Sequence, residues 1–154
     1  MSVQIVLGSK SDMRVAEKAI EALKELGVKY RLSVASAHRT PDLVDKLVGE
    51  ADAEVFIAIA GLSAALPGAI AARTYKPVIG VPISGALNLD SILSVVQMPP
   101  GIPVAAVGLD RGENAAILAA QILALKDENI RKALVKYRQK LKDKVMLDSK
   151  EVEV

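Results

Sequence analysis

The stretch Ser33–Asp42, SVASAHRTPD, sets the chain's sole histidine, His38, beside Arg39. An imidazole titrates close to neutral pH, which suits His38 to general acid–base work. A guanidinium such as that of Arg39 pairs phosphate through two parallel hydrogen bonds. No Ser or Cys nucleophile stands in a motif with His38, so the pair points to proton transfer rather than acyl transfer. The ordinary alternative for His38 is a solvated or hydrogen-bonded loop histidine. Its place at the end of an apolar run, next to an Arg and ahead of a helix start, favours the chemical reading.

Two more segments carry small and polar side chains. In GSKSD (Gly8–Asp12), Gly8 permits a sharp bend and close approach of backbone to a ligand. Ser9 and Ser11 offer hydroxyls, and the helix that follows offers free N–H groups and a positive dipole end, together a phosphate seat. Asp12 suits sugar hydroxyls. Taken alone, Ser-x-Ser-Asp reads first as a helix N-cap, and it is neither a Walker loop nor GxGxxG. In AGLSAALPG (Ala60–Gly68), Gly61, Ser63 and Gly68 sit among small residues. They form either a close wall for a flat ring or a small gas molecule, or a tight helix–sheet contact. VVQMPPGIPV (Val95–Val104) is a rigid approach to a last strand; Gln97 faces a site or a subunit contact, and Met98 reads as core.

The elements that hold these segments alternate regularly. VQIVLG (3–8) is a strand, and Val15, Ala16, Ala19, Ile20, Leu23 and Leu26 follow at helical spacing, stopped by Gly27. YRLSVAS (30–36) is a second strand. Thr40-Pro41-Asp42 opens a helix with Thr40 as N-cap and Pro41 at the first helical position. EVFIAIAG (54–61), KPVIGVP (76–82) and IPVAAVGL (102–109) are further strands. Helices over 64–73, 89–96 and 114–125 separate and follow them. This pattern predicts an α/β fold, a doubly wound five-stranded parallel sheet in the order 2-1-3-4-5 with helices on both faces. Ligands of such sheets bind beyond the carboxyl ends of the strands, where all three segments fall together with PISGALNLD (Pro82–Asp90) at the end of the fourth strand.

From Asp127 onward an extra charged C-terminal helix carries Ile130, Ala133, Leu134, Tyr137 and Leu141 on one stripe. It either caps its own domain or docks on a neighbouring subunit, and LDSKEVEV at its end is expected to fray. No repeat or linker divides the chain, so residues 1–154 are expected to form a single domain, with a core over 1–125 and the helix and tail over 126–154.

Composition narrows the classes. Hydrophobic residues make up 51% but aromatics 3% of 154 residues, so Ala, Val, Ile and Leu must fill the interior. With no Cys there is no disulfide, iron–sulfur cluster or thiol nucleophile, and one His leaves zinc short of ligands. A net charge of +2 without an aromatic-laced basic patch argues against nucleic acid. MSVQIVLG lacks a signal peptide's basic start and apolar core, and no apolar run suits a membrane span, so the expectation is a cytoplasmic protein.

GSKSD, SAHRTP, LPG, PVIGVP, LDSILSVVQMPPGIPVA and Asn114–Ala116 occur in an order that closely resembles the N5-carboxyaminoimidazole ribonucleotide mutases, of the aminoimidazole ribonucleotide carboxylase family. The resemblance covers roughly residues 3–125. It implies a flavodoxin-like three-layer sandwich, a homo-octamer with sites between subunits, and a C-terminal helix reaching onto a neighbour. It also implies a purine-biosynthetic isomerisation of a nucleotide-like substrate, with no metal or organic cofactor. Carried over by position, His38 is the acid–base and Arg39 the phosphate ligand. Gly8, Ser9, Ser11 and Asp12 bind substrate from the first loop, and Ser36 and Ala37 from the second. Gly61, Ser63, Ala64 and Leu66 bind from the third.

One segment departs from the pattern. Bacterial mutases typically read AGGAAHLPG where this chain reads AGLSAALPG, so their second His falls at Ala65. Animal-type enzymes, which carboxylate aminoimidazole ribonucleotide directly with CO2, tend to carry a Ser in this loop and SAHK for SAHR. This chain resembles the second group at Ser63 and the first at Arg39, in the manner of an archaeal branch. Both carboxyl donors, carboxyamine and free CO2, stay open at this point.

Overall fold

Short runs of Val, Ile and Ala pair into one all-parallel sheet in the computed structural model, which describes residues 1–152. The strands are β1 (Ser2–Leu7), β2 (Lys29–Val34), β3 (Val55–Ala60), β4 (Val78–Pro82) and β5 (Ala105–Ala106), in the order β2-β1-β3-β4-β5. This is the flavodoxin-like order expected from the sequence. The six residues of β3 are all buried, as the central strand of a sheet covered on both faces must be.

Helices α1 (Met13–Glu25), α5 (Gly112–Leu123) and α6 (Glu128–Val152) cover one face, where Ile5, Leu7, Ile57 and Ile79 meet Val15, Leu23, Ala116 and Ala119. Helices α2 (Pro41–Glu50), α3 (Leu66–Ala71) and α4 (Asn88–Val96) cover the other, where Val6, Phe56 and Ala58 meet Val44, Ile70 and Val95. Alternate residues of each strand thus feed opposite layers, which makes a three-layer sandwich. Each large aliphatic side chain fully buried here contributes about 1.5–3 kcal/mol.

Small residues set the layer spacing. A Cβ added to Gly112 would lie 2.1 Å from the Val15 carbonyl oxygen, so α5 crosses α1 with backbones almost touching. A Cβ on Gly80 of β4 would lie 2.5 Å from Val95 Cγ1, which seats α4 on the sheet. Met98 packs over Gly68, where an added Cβ would meet its Cε at 3.1 Å.

Four elements differ from the sequence reading, α5 by running from Gly112 to Leu123 rather than over 114–125. The fifth strand shrinks to Ala105–Ala106 because it is an edge with β4 alone as neighbour, and Pro103 has no N–H for the ladder. Helix α3 begins at Leu66 rather than Ala64, because the Ala64 N–H closes a turn on the Gly61 carbonyl. Helix α6 does not fray at Leu147 but continues to Val152, in a sequence rich in good helix formers; Glu153 and Val154 lie outside the described residues. Among the described residues no helix is long and apolar enough to cross a membrane.

Candidate functional site

Register brings the three segments together. Leu7 of β1 pairs with Val34 of β2 and Ile59 of β3, so these strands end level with one another. The Gly8 N–H donates to the Ile59 carbonyl and the Ala35 N–H to the Leu7 carbonyl, both at 2.9 Å. The chain leaves all three strands at one edge, next to the β1/β3 boundary where the winding direction reverses. That boundary is where open α/β sheets leave a crevice.

A cavity of about 370 Å³ occupies the crevice. Gly8, Ser9, Ser11 and Asp12 line it from the first loop, and Ser36, Ala37, His38 and Arg39 from the second. Gly61, Ala64 and Leu66 line it from the third, together with Ala60, Leu62 and Ala65. Of the residues singled out from the sequence, Ser63, Gly68 and Gln97 do not line it. Ala65, where the resemblance places the second His, lines it too; Ala60 and Leu62 also do, and carry no functional group to signal them.

The first loop is both cap and wall. Ser9 caps a single 3-10 turn over Lys10–Asp12 that leads into α1. Its Oγ accepts the Ser11 N–H at 3.4 Å, and Asp12 Oδ2 accepts the Ser9 N–H at 3.1 Å, a reciprocal capping box. The Ser11 hydroxyl donates to Asp12 Oδ1 at 3.2 Å. Burial pushes the Asp12 carboxyl above the usual carboxylate range, against the pull of these two hydrogen bonds and of the Arg39 charge. Asp12 therefore offers a partly desolvated acceptor on the cavity wall.

Gly8 needs no positive φ, and a Cβ there would make ordinary contacts at 3.6 Å to Ala60 Cβ and 3.7 Å to Asp12 Oδ2. Protein packing thus leaves room for a side chain between two cavity-lining residues. The missing Cβ keeps cavity volume open instead.

The second loop is a tight turn. The Ser36 N–H donates to Thr40 Oγ1 at 2.9 Å, and the Thr40 N–H donates back to the Ser36 carbonyl at 2.9 Å. Thr40 stands at the N-cap position of α2, but its hydroxyl is spent on Ser36 and makes no cap bond, while Pro41 opens the helix as expected. The turn presents His38 exposed at the cavity rim. Arg39 is anchored from both sides: its Nη2 donates to the Gly8 carbonyl at 3.1 Å and its Nε to Ser36 Oγ at 3.3 Å.

The third loop is held from outside the cavity. Ser63 adopts φ 59°, and its N–H donates to Asp90 Oδ2 of α4 at 2.9 Å. Asp110, φ 56°, plays a similar part beyond β5. Its Oδ1 accepts the Ser84 N–H at 3.0 Å, its Oδ2 accepts the Ser84 hydroxyl, and Arg14 lies 3.5 Å away. Burial raises the Asp110 carboxyl, but the Ser84 bonds with the Arg14 and Lys18 charges outweigh it and hold the group below the usual range.

A proton carrier, a fixed guanidinium, serine hydroxyls and a desolvated carboxylate thus converge on one small-walled cavity. Such a set can bind a phosphorylated sugar and exchange a proton with a reacting group.

The chain is similar to known proteins over nearly its whole length. The chain is 61% identical over 149 residues to the N5-carboxyaminoimidazole ribonucleotide mutase of Methanocaldococcus jannaschii, covering 96% of this chain and 95% of that one. It is 52% identical over 145 residues to the enzyme of the same name from Pyrococcus abyssi, covering 91% and 83%. The crystal structure of Treponema denticola PurE superposes with a TM-score of 0.90 at 33% identity, covering 99% of this chain and 98% of that one. The AIR carboxylase family model matches residues 2–144, nearly the whole chain, and so this protein belongs to the AIR carboxylase family.

Proposed function

We propose that this chain converts N5-carboxyaminoimidazole ribonucleotide to 4-carboxyaminoimidazole ribonucleotide in purine biosynthesis. One observation carries the reading: His38 and Arg39 share a cavity with the GSKSD loop, in a chain 61% identical to a protein named for this isomerisation. A volume of about 370 Å³ lies within the small-molecule range of about 300–1,000 Å³.

The reaction divides into two balanced halves. His38 gives a proton to the carboxylated amine nitrogen as its bond to the carboxyl carbon breaks, releasing CO2 inside the cavity. The ring carbon then attacks CO2 with its enamine electron pair, and the neutral His38 removes the proton left on that carbon. One proton leaves the imidazole and one returns, so a single His closes the cycle. Arg39, with Ser9 and Ser11, holds the phosphate, and Asp12 accepts ribose hydroxyls. Gly8 leaves room for the nucleotide, and the small residues Gly61, Ala64 and Ala65 exclude water from the CO2.

The assembly belongs to the same proposal. Leu89, Leu93 and Val96, with Leu87 just before the helix, leave α4 with an exposed apolar face, and Leu141, Val145 and Val152 do the same on α6. Such faces fit an oligomer, octameric by the family resemblance, in which α6 docks on a neighbour and the sites lie between subunits in the cytoplasm.

The test is a substrate comparison without ATP: the carboxyamine against aminoimidazole ribonucleotide plus bicarbonate. Turnover of the carboxyamine alone supports the mutase. Turnover that needs the free amine and CO2 supports direct carboxylation instead, the second reading favoured by Ala65 in place of the second His. His38→Asn should lose at least about 100-fold in kcat; full turnover by that variant overturns its role.

A further inference from the structure

Between β3 and α3 the chain turns over residues 61–64, closed by the Ala64 N–H on the Gly61 carbonyl. Leu62 and Ser63 are its central pair, and Ser63 carries the positive φ of 59°. At that turn position glycine or asparagine is the easy residue, because a Cβ is disfavoured there. A serine needs an outside hold, and Asp90 supplies one by accepting the Ser63 N–H at 2.9 Å.

Asp90 is itself well fixed. The hydroxyl of Ser91, 2% exposed, donates to the Ile83 carbonyl at 3.0 Å, tying the first turn of α4 to the end of β4. The Ser94 hydroxyl donates to the Asp90 carbonyl at 2.8 Å, and Asn88 Oδ1 accepts the Gly85 N–H at 3.0 Å. As the third residue of α4, Asp90 also sets its charge where the helix dipole favours an anion. Asp90 does not line the cavity, yet Gly61, Leu62, Ala64 and Ala65, which do, belong to or adjoin the turn it holds.

We infer that Asp90 is a positioning residue: through the Ser63 N–H it fixes the 61–65 wall and keeps decarboxylation coupled to recarboxylation. The inference rests on the reaction proposed above. If the wall loosens, CO2 escapes after the first half. The amine nitrogen keeps the proton from His38, His38 regains one from water, and aminoimidazole ribonucleotide leaves in place of product.

The experiment measures the share of turnovers that release aminoimidazole ribonucleotide, alongside thermal unfolding. Asp90→Ala should raise that share about tenfold, the scale of a lost charge-assisted hydrogen bond. Asp90→Asn should stay within about twofold of wild type, since its amide oxygen accepts the same N–H. Adding Ser63→Gly to Asp90→Ala should restore coupling, because glycine takes the positive φ unaided. A merely destabilising change would lower total activity and leave the share unmoved, so an unchanged share in folded Asp90→Ala overturns the inference. So does an equal rise in Asp90→Asn. Hydrogen exchange of the Ser63 amide needs no turnover and separates the two readings. Faster exchange in Asp90→Ala but not in Asp90→Asn supports the hold even if the wild-type protein proves inactive on the carboxyamine, and unchanged exchange refutes the hold whatever the reaction is.

Discussion

The guanidinium of Arg39 bridges two strand ends, 3.1 Å from the Gly8 carbonyl oxygen through Nη2 and 3.3 Å from Ser36 Oγ through Nε. Its remaining N–H groups stay available for an anion, so anchoring and the proposed phosphate binding would use different donors of one fork. A lysine has one compact charge and cannot do both. Arg39→Lys should therefore raise KM at least about tenfold, the worth of a bidentate charged pair. Stability in urea should shift by less than about 0.5 kcal/mol, because Arg39 is exposed. A wild-type KM in this variant would remove Arg39 from phosphate binding.

How much of this could be read from sequence follows from range. The strands and the edge that gathers the three loops were legible, because apolar runs and their Gly, Ser and His ends are local signals; the strand order follows only from the common solution for five parallel strands. The double role of Ser9 was half legible: the cap was read from Ser-x-Ser-Asp, and its place on the cavity wall needed the register of β1 on β2 and β3. Thr40 was expected to cap α2, but Ser36 competes for the same hydroxyl. Asp90 closes the strand-four segment PISGALNLD, but its bond to Ser63 is not legible, since the two lie 27 residues apart and only the packing of α4 beside the loop brings them together. The resemblance makes Ser63 a substrate ligand, whereas its positive φ in the turn has no signature in a serine.

Two carboxyls near the site should give opposite pH responses. Asp110 is held below its ordinary value of 3.8, so its contribution to stability is present above 3.8 and is lost as pH falls through the folded value. Asp110→Asn tolerates the positive φ and removes only the charge. That variant should be less stable than wild type at pH 7, with the gap closing as pH falls below 3.8. Asp12 is held above 3.8 by burial, so wild type loses stability as pH rises from 3.8 through the folded value. Asp12→Asn does not titrate and should gain relative to wild type over that window. Urea unfolding from pH 3 to 7 checks both signs, and parallel slopes in all three proteins would refute the assignments.

Glycines of the two helical layers should respond in opposite directions. Gly112→Ala drives a Cβ to 2.1 Å from the Val15 carbonyl, backbone that can yield only by separating α5 from α1. The expected loss is about 1–3 kcal/mol or more. Gly49 is exposed in α2, with nothing within 4 Å of an added Cβ. Gly49→Ala should instead stabilise by up to about 1 kcal/mol, the helix propensity difference. Thermal unfolding of the two variants, measured together, tests whether close approach or mere presence of glycine matters.

Helix α6 should separate folding from assembly. Its first half belongs to its own subunit: Ile130 and Leu134 are buried in the core layer that α1 and α5 form on this face, and Lys140 reaches Glu25 at 2.8 Å. Past that ion pair the same stripe continues, but Leu141 is 48% exposed and Val145 66%. An apolar stripe that runs on without support from its own chain is what a neighbouring copy would cover. A chain ending at Lys140 should keep the wild-type unfolding midpoint measured at high dilution, yet sediment as a smaller species at working concentration and lose activity in proportion. A chain ending at Leu125 also strips Ile130 and Leu134, each worth about 1.5–3 kcal/mol of burial, and should unfold more easily as well. An unchanged sedimentation coefficient in the first truncation would show that the distal half of α6 plays no part in assembly.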